Sequence, residues 1–255
     1  MKALRYAAAV AALILIWQAG ALLLGNRILP TPGAAALNFW HEIKGPEFWQ
    51  HAGASAWRAA AGIFCGFALS FPLGVWLGLS RGLDAWLSPI IFLTYPIPKV
   101  LFLPVLLVLL GLGEAPKILL VALTVGYQIL VVTRDSVRSI DHNYIDSFAT
   151  LMPAGRSWSS LRGLGSLARH VAVPAALPSA VTALRIAAGT AVAVLFMAES
   201  FVTDRGLGFM IMDAWGALDL PRMFTGIAAM GLLGLLLHEI CDRLESRFSR
   251  WTGRR

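Results

Sequence analysis

Four lysines could serve a phosphate-binding loop, Lys2, Lys44, Lys99 and Lys117, and none is followed by Ser or Thr. A standard P-loop needs that pair, with lysine on the phosphates and hydroxyl on Mg, so this chain does not hold ATP in that way. Gly163-Leu164-Gly165-Ser166-Leu167-Ala168 has the G-x-G-x-x-A spacing of a dinucleotide turn, but no strand precedes it. His238-Glu239-Ile240-Cys241-Asp242 has the outline of a zinc-binding H-E-x-x-H helix with Asp in the second His place. His238 and Asp242 share a helical face and could chelate a metal, giving an intramembrane metalloenzyme as one reading. The plainer reading pairs Glu239 with Arg243 one turn on. No third ligand is evident, and His41, His51, His142 and His170 form no cluster. Cys65 and Cys241 lie far apart, outside any C-x-x-C, so neither a disulfide framework nor a thiolate metal site is implied. No catalytic residue, metal ligand or cofactor of this chain is assigned.

Ionisable groups inside apolar runs carry more information, because a charge at membrane depth is costly and usually faces a cavity or the bundle interior. Lys99 follows Tyr95-Pro96-Ile97-Pro98, Arg185 lies beyond Pro178, and Glu199 ends an apolar run. The predicted polar path is therefore lined by Tyr95, Pro98, Lys99, Arg185 and Glu199. Alternatively, Lys99 and Arg185 snorkel to an interface and Glu199 lies among outer headgroups. Two cations on such a path would suit a small anion such as a sulfonate, carboxylate or nitrate. A stand-alone ion-coupled carrier would use Lys99, Arg185 and Glu199 as a relay, but the halves show no inverted repeat.

A polar stretch carries two short amphipathic patterns. Ile145, Phe148 and Met152 recur at helical spacing, as do Leu161, Leu164, Leu167 and Val171. Pro153-Ala154-Gly155 separates the two, and Pro174 is the expected stop of the second. Such helices either lie on the bilayer, with Arg156, Arg162 and Arg169 on lipid phosphates, or dock a cytosolic partner.

The elements that must position these residues follow from composition. The chain has 255 residues, 58% hydrophobic and 14% charged, where a soluble domain has about 25% charged residues. That excludes a water-soluble particle and predicts an all-α membrane protein with room for roughly five to seven spans. The apolar runs place six: Tyr6–Leu24, Trp57–Leu79, Ala85–Leu110, Pro116–Val132, Pro174–Ala198 and Met223–Ile240. The first is read as an uncleaved anchor (1–25) because its apolar run passes the Ala19-Gly20-Ala21 site of a possible signal peptide. Residues 26–56 read as an external loop with a short amphipathic helix, 57–240 as a five-helix core, and 241–255 as a basic cytoplasmic tail. Span 2 has a small residue at every fourth position, Gly62, Gly66, Ser70, Gly74 and Gly78, a seam that lets another backbone approach. Span 3 is broken by Pro89, Pro96, Pro98 and Pro104, and its freed carbonyls need partners from protein or water.

The formal charge is +7, and its placement points to the membrane rather than to nucleic acid. With the N-terminus inside, Arg27, Lys44, Arg58, Lys117, Arg205 and Arg222 fall outside. Lys99 and Arg185 lie at depth, and every other Lys and Arg falls inside. The bias predicts both ends in the cytoplasm, with the 133–173 loop there too.

On these motifs the chain resembles the permeases of binding-protein-dependent ABC importers of type I, nearest the nitrate/sulfonate/taurine group. The residues that carry the likeness are Arg169-His170-Val171-Ala172-Val173-Pro174 through Pro178, Ala183-Leu184-Arg185, Ser55-Ala56-Trp57-Arg58 with Gly62, and Pro96-Ile97-Pro98. Gly111-Leu112-Gly113, Ala198-Glu199 and Gly206-Leu207-Gly208 follow in the same order. The resemblance implies a multi-pass permease of a bacterial-type inner membrane. Its implied partners are a cytosolic ABC ATPase dimer carrying ATP and Mg, a second permease subunit taken as a further copy, an external solute-binding protein and membrane lipid. It places ATPase coupling on Ile145, Phe148, Met152, Gly155, Leu161, Gly163, Leu164, Gly165, Arg169, Val171 and Pro174. The family's Glu-Ala-Ala is missing. Counted from Pro174, Leu161 stands where Gly belongs; counted from Pro178, Gly165 fits but Ser159-Ser160-Leu161 replaces the Glu-Ala-Ala.

Overall fold

In the computed structural model, which describes residues 2–25, 28–150, 161–201 and 203–248, the apolar runs are helices and the described residues contain no strand. Among the described residues five helices are long and apolar enough to cross a membrane, six if one sharply bent pair counts as a single span. The backbone divides into two compact units: Met1–Trp57 with Glu199–Leu233, and Arg58–Ala198 with Gly234–Arg255.

The first unit contains α1 (Lys2–Leu24) and α2 (Pro32–Glu42). Thr31 starts α2: its Oγ1 accepts the Ala34 N–H at 3.3 Å, and Pro32 stands where a helix has no use for a donor. The opening turns of α3 (Pro46–Leu79), α10 (Leu207–Gly216) and the first half of α11 (Leu220–Phe248) complete it. Trp17 of α1 donates to the Pro30 carbonyl at 3.0 Å and stacks on Phe224. Asn38 of α2 bonds Thr225 of α11 at 3.0 Å. Most of α1 presents Leu13, Leu15, Ile16, Leu22 and Leu23 outward, a surface suited to lipid.

The second unit is built on a helix pair. The remainder of α3 lies along α6 (Glu114–Arg138), and every member of the small-residue seam faces it. A Cβ at Gly62 would come within 2.6 Å of Val121, one at Gly66 within 2.8 Å of the Ala122 carbonyl, one at Gly74 within 2.8 Å of Thr133, and one at Gly78 within 2.5 Å of Val137. Ser70 fills the space left by Gly126. Between these helices come α4 (Arg81–Thr94), a 3-10 turn (Lys99–Phe102) and α5 (Leu103–Leu110), which occupy the stretch read as span 3 and bend by 92°, the geometry of a broken span or a re-entrant loop. Leu103 and Leu106 of α5 pack on Leu120, while Ile91 of α4 packs on Leu77 and Leu130. After α6 come α7 (His142–Thr150), α8 (Leu161–Leu167), a π turn (Ala168–Ala172) and α9 (Val173–Glu199).

Three sequence boundaries need correction. The stretch 26–56 is not loop throughout, because α3 begins at Pro46. Its added turns bury Phe48, His51 and Ser55 at helical spacing, a stripe too polar to read as part of a span. The loop 133–173 shrinks from both sides, since α6 continues to Arg138 and α8 runs into α9 without a break. Pro174 does not stop the helix. The turn widens just before it, with the Val173 N–H bonded to the Ala168 carbonyl five residues back, which is the local adjustment a membrane helix uses to carry a proline. Finally, α11 extends through the start of the basic tail to Phe248.

Candidate functional site

The first loop helix meets the π turn that follows the second through aromatic rings. Phe148 of α7 stacks on His170 in the π turn at 6.1 Å between centroids. Ile145 of α7 and Leu164 and Leu167 of α8 wall a cavity of about 540 Å³ closed by Gly78, Val137 and Arg138. Thus both amphipathic faces turn onto one another and onto the ends of α3 and α6. Arg169 and Pro174 remain exposed, Val171 is half-buried, and Gly165 is exposed with open space around it. Leu161 and Gly163 lie in the first turn of α8, their side chains outside the described residues; Met152 and Gly155 lie wholly outside them.

Beside this pair is an ion cluster that the sequence reading missed. Asp84, in the first turn of α4, is 4% exposed and bonded to Arg134 and Arg138 of α6. Ser88 donates to Asp84 at 2.7 Å and accepts from Arg134 at 2.7 Å, while Arg134 also reaches Asp135 at 2.8 Å. The signal was present: Arg134 and Arg138 are four apart, share a face and require an anion. The charge balance leaves one excess cation when Arg81 is included.

The path residues each have partners of their own. Lys99 Nζ donates to the carbonyls of Thr94 (2.6 Å), Ile97 (3.0 Å) and Tyr95 (3.3 Å), and lies 4.1 Å above the Tyr127 ring. The Tyr127 hydroxyl bonds Thr94 Oγ1 at 2.6 Å. Lys99 therefore adds donors to the bend, including one at the Thr94 carbonyl, whose helical partner would be the N–H that Pro98 lacks. Tyr95 is exposed, and Pro98 precedes the 3-10 turn. Arg185 of α9 pairs with Asp242 and Glu245 of α11, each at 3.1 Å, and Thr182 donates to Glu245 at 2.7 Å.

Glu199 is 1% exposed. Its carboxylate accepts from Ser55 Oγ at 2.8 and 2.9 Å and from the Gly208 N–H at 2.9 Å. Ser55 in turn accepts the Leu207 N–H at 2.7 Å, and His51 Nδ1 accepts the Gly206 N–H at 3.1 Å. A carboxylate at the start of α10 complements its exposed N–H groups. Gly206 has φ +133°, and a Cβ there would fall 2.5 Å from the Glu199 carboxyl carbon, so only glycine passes. Glu199 is thus a buried clasp on the start of α10.

Other sequence readings change as well. Arg58, counted among external charges, is buried and forms a two-pronged pair with Glu114 at 2.6 Å, and Lys117 is buried too. Asp242 serves Arg185 rather than His238, and Glu239 pairs with Arg243 at 2.8 Å. The described residues contain no cluster of three metal-ligating side chains.

Comparison with known proteins places this geometry. Residues 70–250 match the family described as binding-protein-dependent transport system inner membrane component. The taurine transport system permease protein TauC of Escherichia coli (strain K12) is 31% identical over 243 residues, 93% of this chain and 85% of that protein. The aliphatic sulfonates transport permease protein SsuC of the same organism is 32% identical over 241 residues, covering 94% and 88%. An inward-facing structure of the MetNI methionine ABC transporter superposes with TM-score 0.66 at 21% identity, over 80% of this chain and 99% of that one, which establishes a shared fold.

Proposed function

Since this chain belongs to the family of inner membrane components of binding-protein-dependent transport systems, we propose that it is the permease subunit of an ATP-driven importer for a small sulfonate- or taurine-like anion. An external solute-binding protein delivers the solute, and two copies of the chain enclose the path. ATP and Mg are held by a cytosolic ABC ATPase dimer, so hydrolysis takes place on a separate subunit.

The observation that carries the reading is similarity to taurine and sulfonate permeases over nearly the whole chain. The loop-helix pair supports its mechanical half. With Phe148 stacked on His170, α7, α8 and the π turn form one platform, and the exposed Arg169 of the turn and Pro174 at the start of α9 are offered to an ATPase. The platform is continuous with α9 through the π turn, a joint that transmits displacement while it absorbs a change of angle. ATPase closure would shift the platform and bias the bundle between inward- and outward-open arrangements. The faces around Tyr95, Pro98, Lys99 and Arg185 in the second unit are the proposed path, with the pairs of Arg185 to Asp242 and Glu245 holding its wall.

Co-purification from the native membrane in mild detergent tests this. A stoichiometric ATPase and a solute-binding protein are expected, and the latter should bind taurine or an alkanesulfonate. Deleting residues 142–167 should abolish ATPase co-elution while membrane insertion persists. Unchanged co-elution would refute the docking assignment, and a binding protein indifferent to sulfonates would refute the solute.

A further inference from the structure

Two cavities of unlike lining adjoin in the second unit. The larger, about 540 Å³, is lined by Arg81 and Arg138 beside apolar Val137, Ile145 and Leu164. The smaller, about 380 Å³, is almost wholly apolar, walled by Phe71, Trp76, Ala168 and Val173. Leu79 and Leu164 line both, so they form one recess with a cationic end and an oily end. Arg138 shares Asp84 with Arg134, whereas Arg81 has no acidic partner among the described residues. Arg81 also opens α4 just after its Ser80 cap, where the helix dipole adds positive potential. The exposed Trp76 indole on the apolar wall is the type of side chain found at headgroup level.

We propose that this recess binds one anionic phospholipid of the cytoplasmic leaflet. Its phosphate is held by Arg81 and Arg138, and one acyl chain lies along Phe71, Trp76 and Val173. Charge complementarity selects the headgroup, and the adjoining apolar cavity selects an amphiphile over a free anion; basic pockets between helices at this face are the usual form of such sites. Because α7 and α8 wall the recess, the lipid sets their distance from the ends of α3 and α6. The proposal rests on the inward placement of this end of the bundle and is independent of which solute is carried.

The intact permease is reconstituted into nanodiscs of phosphatidylcholine alone or of equal parts phosphatidylcholine and phosphatidylglycerol, then extracted, and retained lipid is read by native mass spectrometry. Wild type should retain phosphatidylglycerol over phosphatidylcholine. Arg81→Gln should cut that preference about five-fold, the usual effect of one basic residue near an anionic surface, and Arg81→Lys should keep most of it. Arg243→Gln, whose parent side chain is occupied by Glu239 outside the recess, should leave it unchanged. Equal retention by wild type and Arg81→Gln would overturn the proposal. So would displacement of the retained lipid by soluble ethanesulfonate, which would give the cavity to a free anion.

Discussion

Gly66 is where the helix seam is least able to yield. An alanine there places Cβ 2.8 Å from the Ala122 carbonyl oxygen, 3.3 Å from its Cα and 3.3 Å from the Gly126 nitrogen. All three are backbone atoms, so no rotamer change relieves the contact. Ordinary contact begins near 3.4 Å, and α3 must therefore retreat from α6 by about 0.6 Å, the difference between 3.4 and 2.8 Å. Overpacking of this kind costs about 1–3 kcal/mol. A gap of about 0.5–1 Å also forfeits a quarter to a half of each dispersion well along the seam, including the contacts of Gly62 and Gly74. At about 2–4 °C per kcal/mol for a chain of this size, Gly66→Ala should lower Tm by roughly 2–12 °C in detergent, read by loss of the monodisperse size-exclusion peak. Gly189→Ala and Gly231→Ala are the controls, because a Cβ at either meets nothing within 4 Å. If Gly66→Ala melts with these controls, close backbone approach does not hold α3 to α6.

Four further substitutions test the charged groups and the proline turn. Asp84→Asn leaves Arg134 with a buried, undercompensated charge and should cost about 3–5 kcal/mol; the double change Asp84→Leu with Arg134→Met should recover most of the lost Tm. Lys99→Met takes a donor from the carbonyls of Thr94, which keeps the Ile97 N–H at 3.2 Å, and of Ile97, at about 0.5–1.5 kcal/mol per bond, so Tm should fall while solute selectivity in a reconstituted transport assay stays the same; a selectivity change with normal Tm would make Lys99 a solute contact instead of a brace. Glu199→Gln keeps the shape but weakens its hold on the Gly208 N–H, and should raise hydrogen exchange in residues 203–208 relative to α6. Pro174→Ala allows the turn at 168–172 to close to α geometry, lengthening α8 relative to α9; transport rate should drop with little change in Tm, and unaltered transport would remove the joint from the mechanism.

The spans were legible because each is a run of apolar residues bounded by charge or glycine, and the seam at Gly62, Gly66, Ser70, Gly74 and Gly78 was legible because its period matches the helix. The opening turns of α3 were not. Phe48, His51 and Ser55 make a buried stripe only when Glu199 and the 206–208 backbone stand opposite to use the polar atoms, and hydropathy cannot register a partner roughly 150 residues away. Asp84 was overlooked for the same reason, since its meaning lies in Arg134 and Arg138 on another helix.

The three ionisable groups singled out at depth show what sequence reasoning can and cannot infer from a costly charge. Its rarity correctly marks a place where the fold needs something. It does not say whether the need is solvent, solute or backbone. Lys99 meets the carbonyls of the proline-broken bend, Glu199 meets the open N–H groups of α10, and Arg185 ties α9 to α11 through Asp242 and Glu245. Each satisfies a polar demand that lipid would leave unmet. A permease whose own charges are spent this way leaves few fixed charges on its path. On the proposed function, recognition of the solute would then fall mainly to the binding protein, and the bundle would supply alternating access. Charge-neutral variants of Arg185 and Lys99 should therefore alter the temperature at which the protein functions more than the solute it carries.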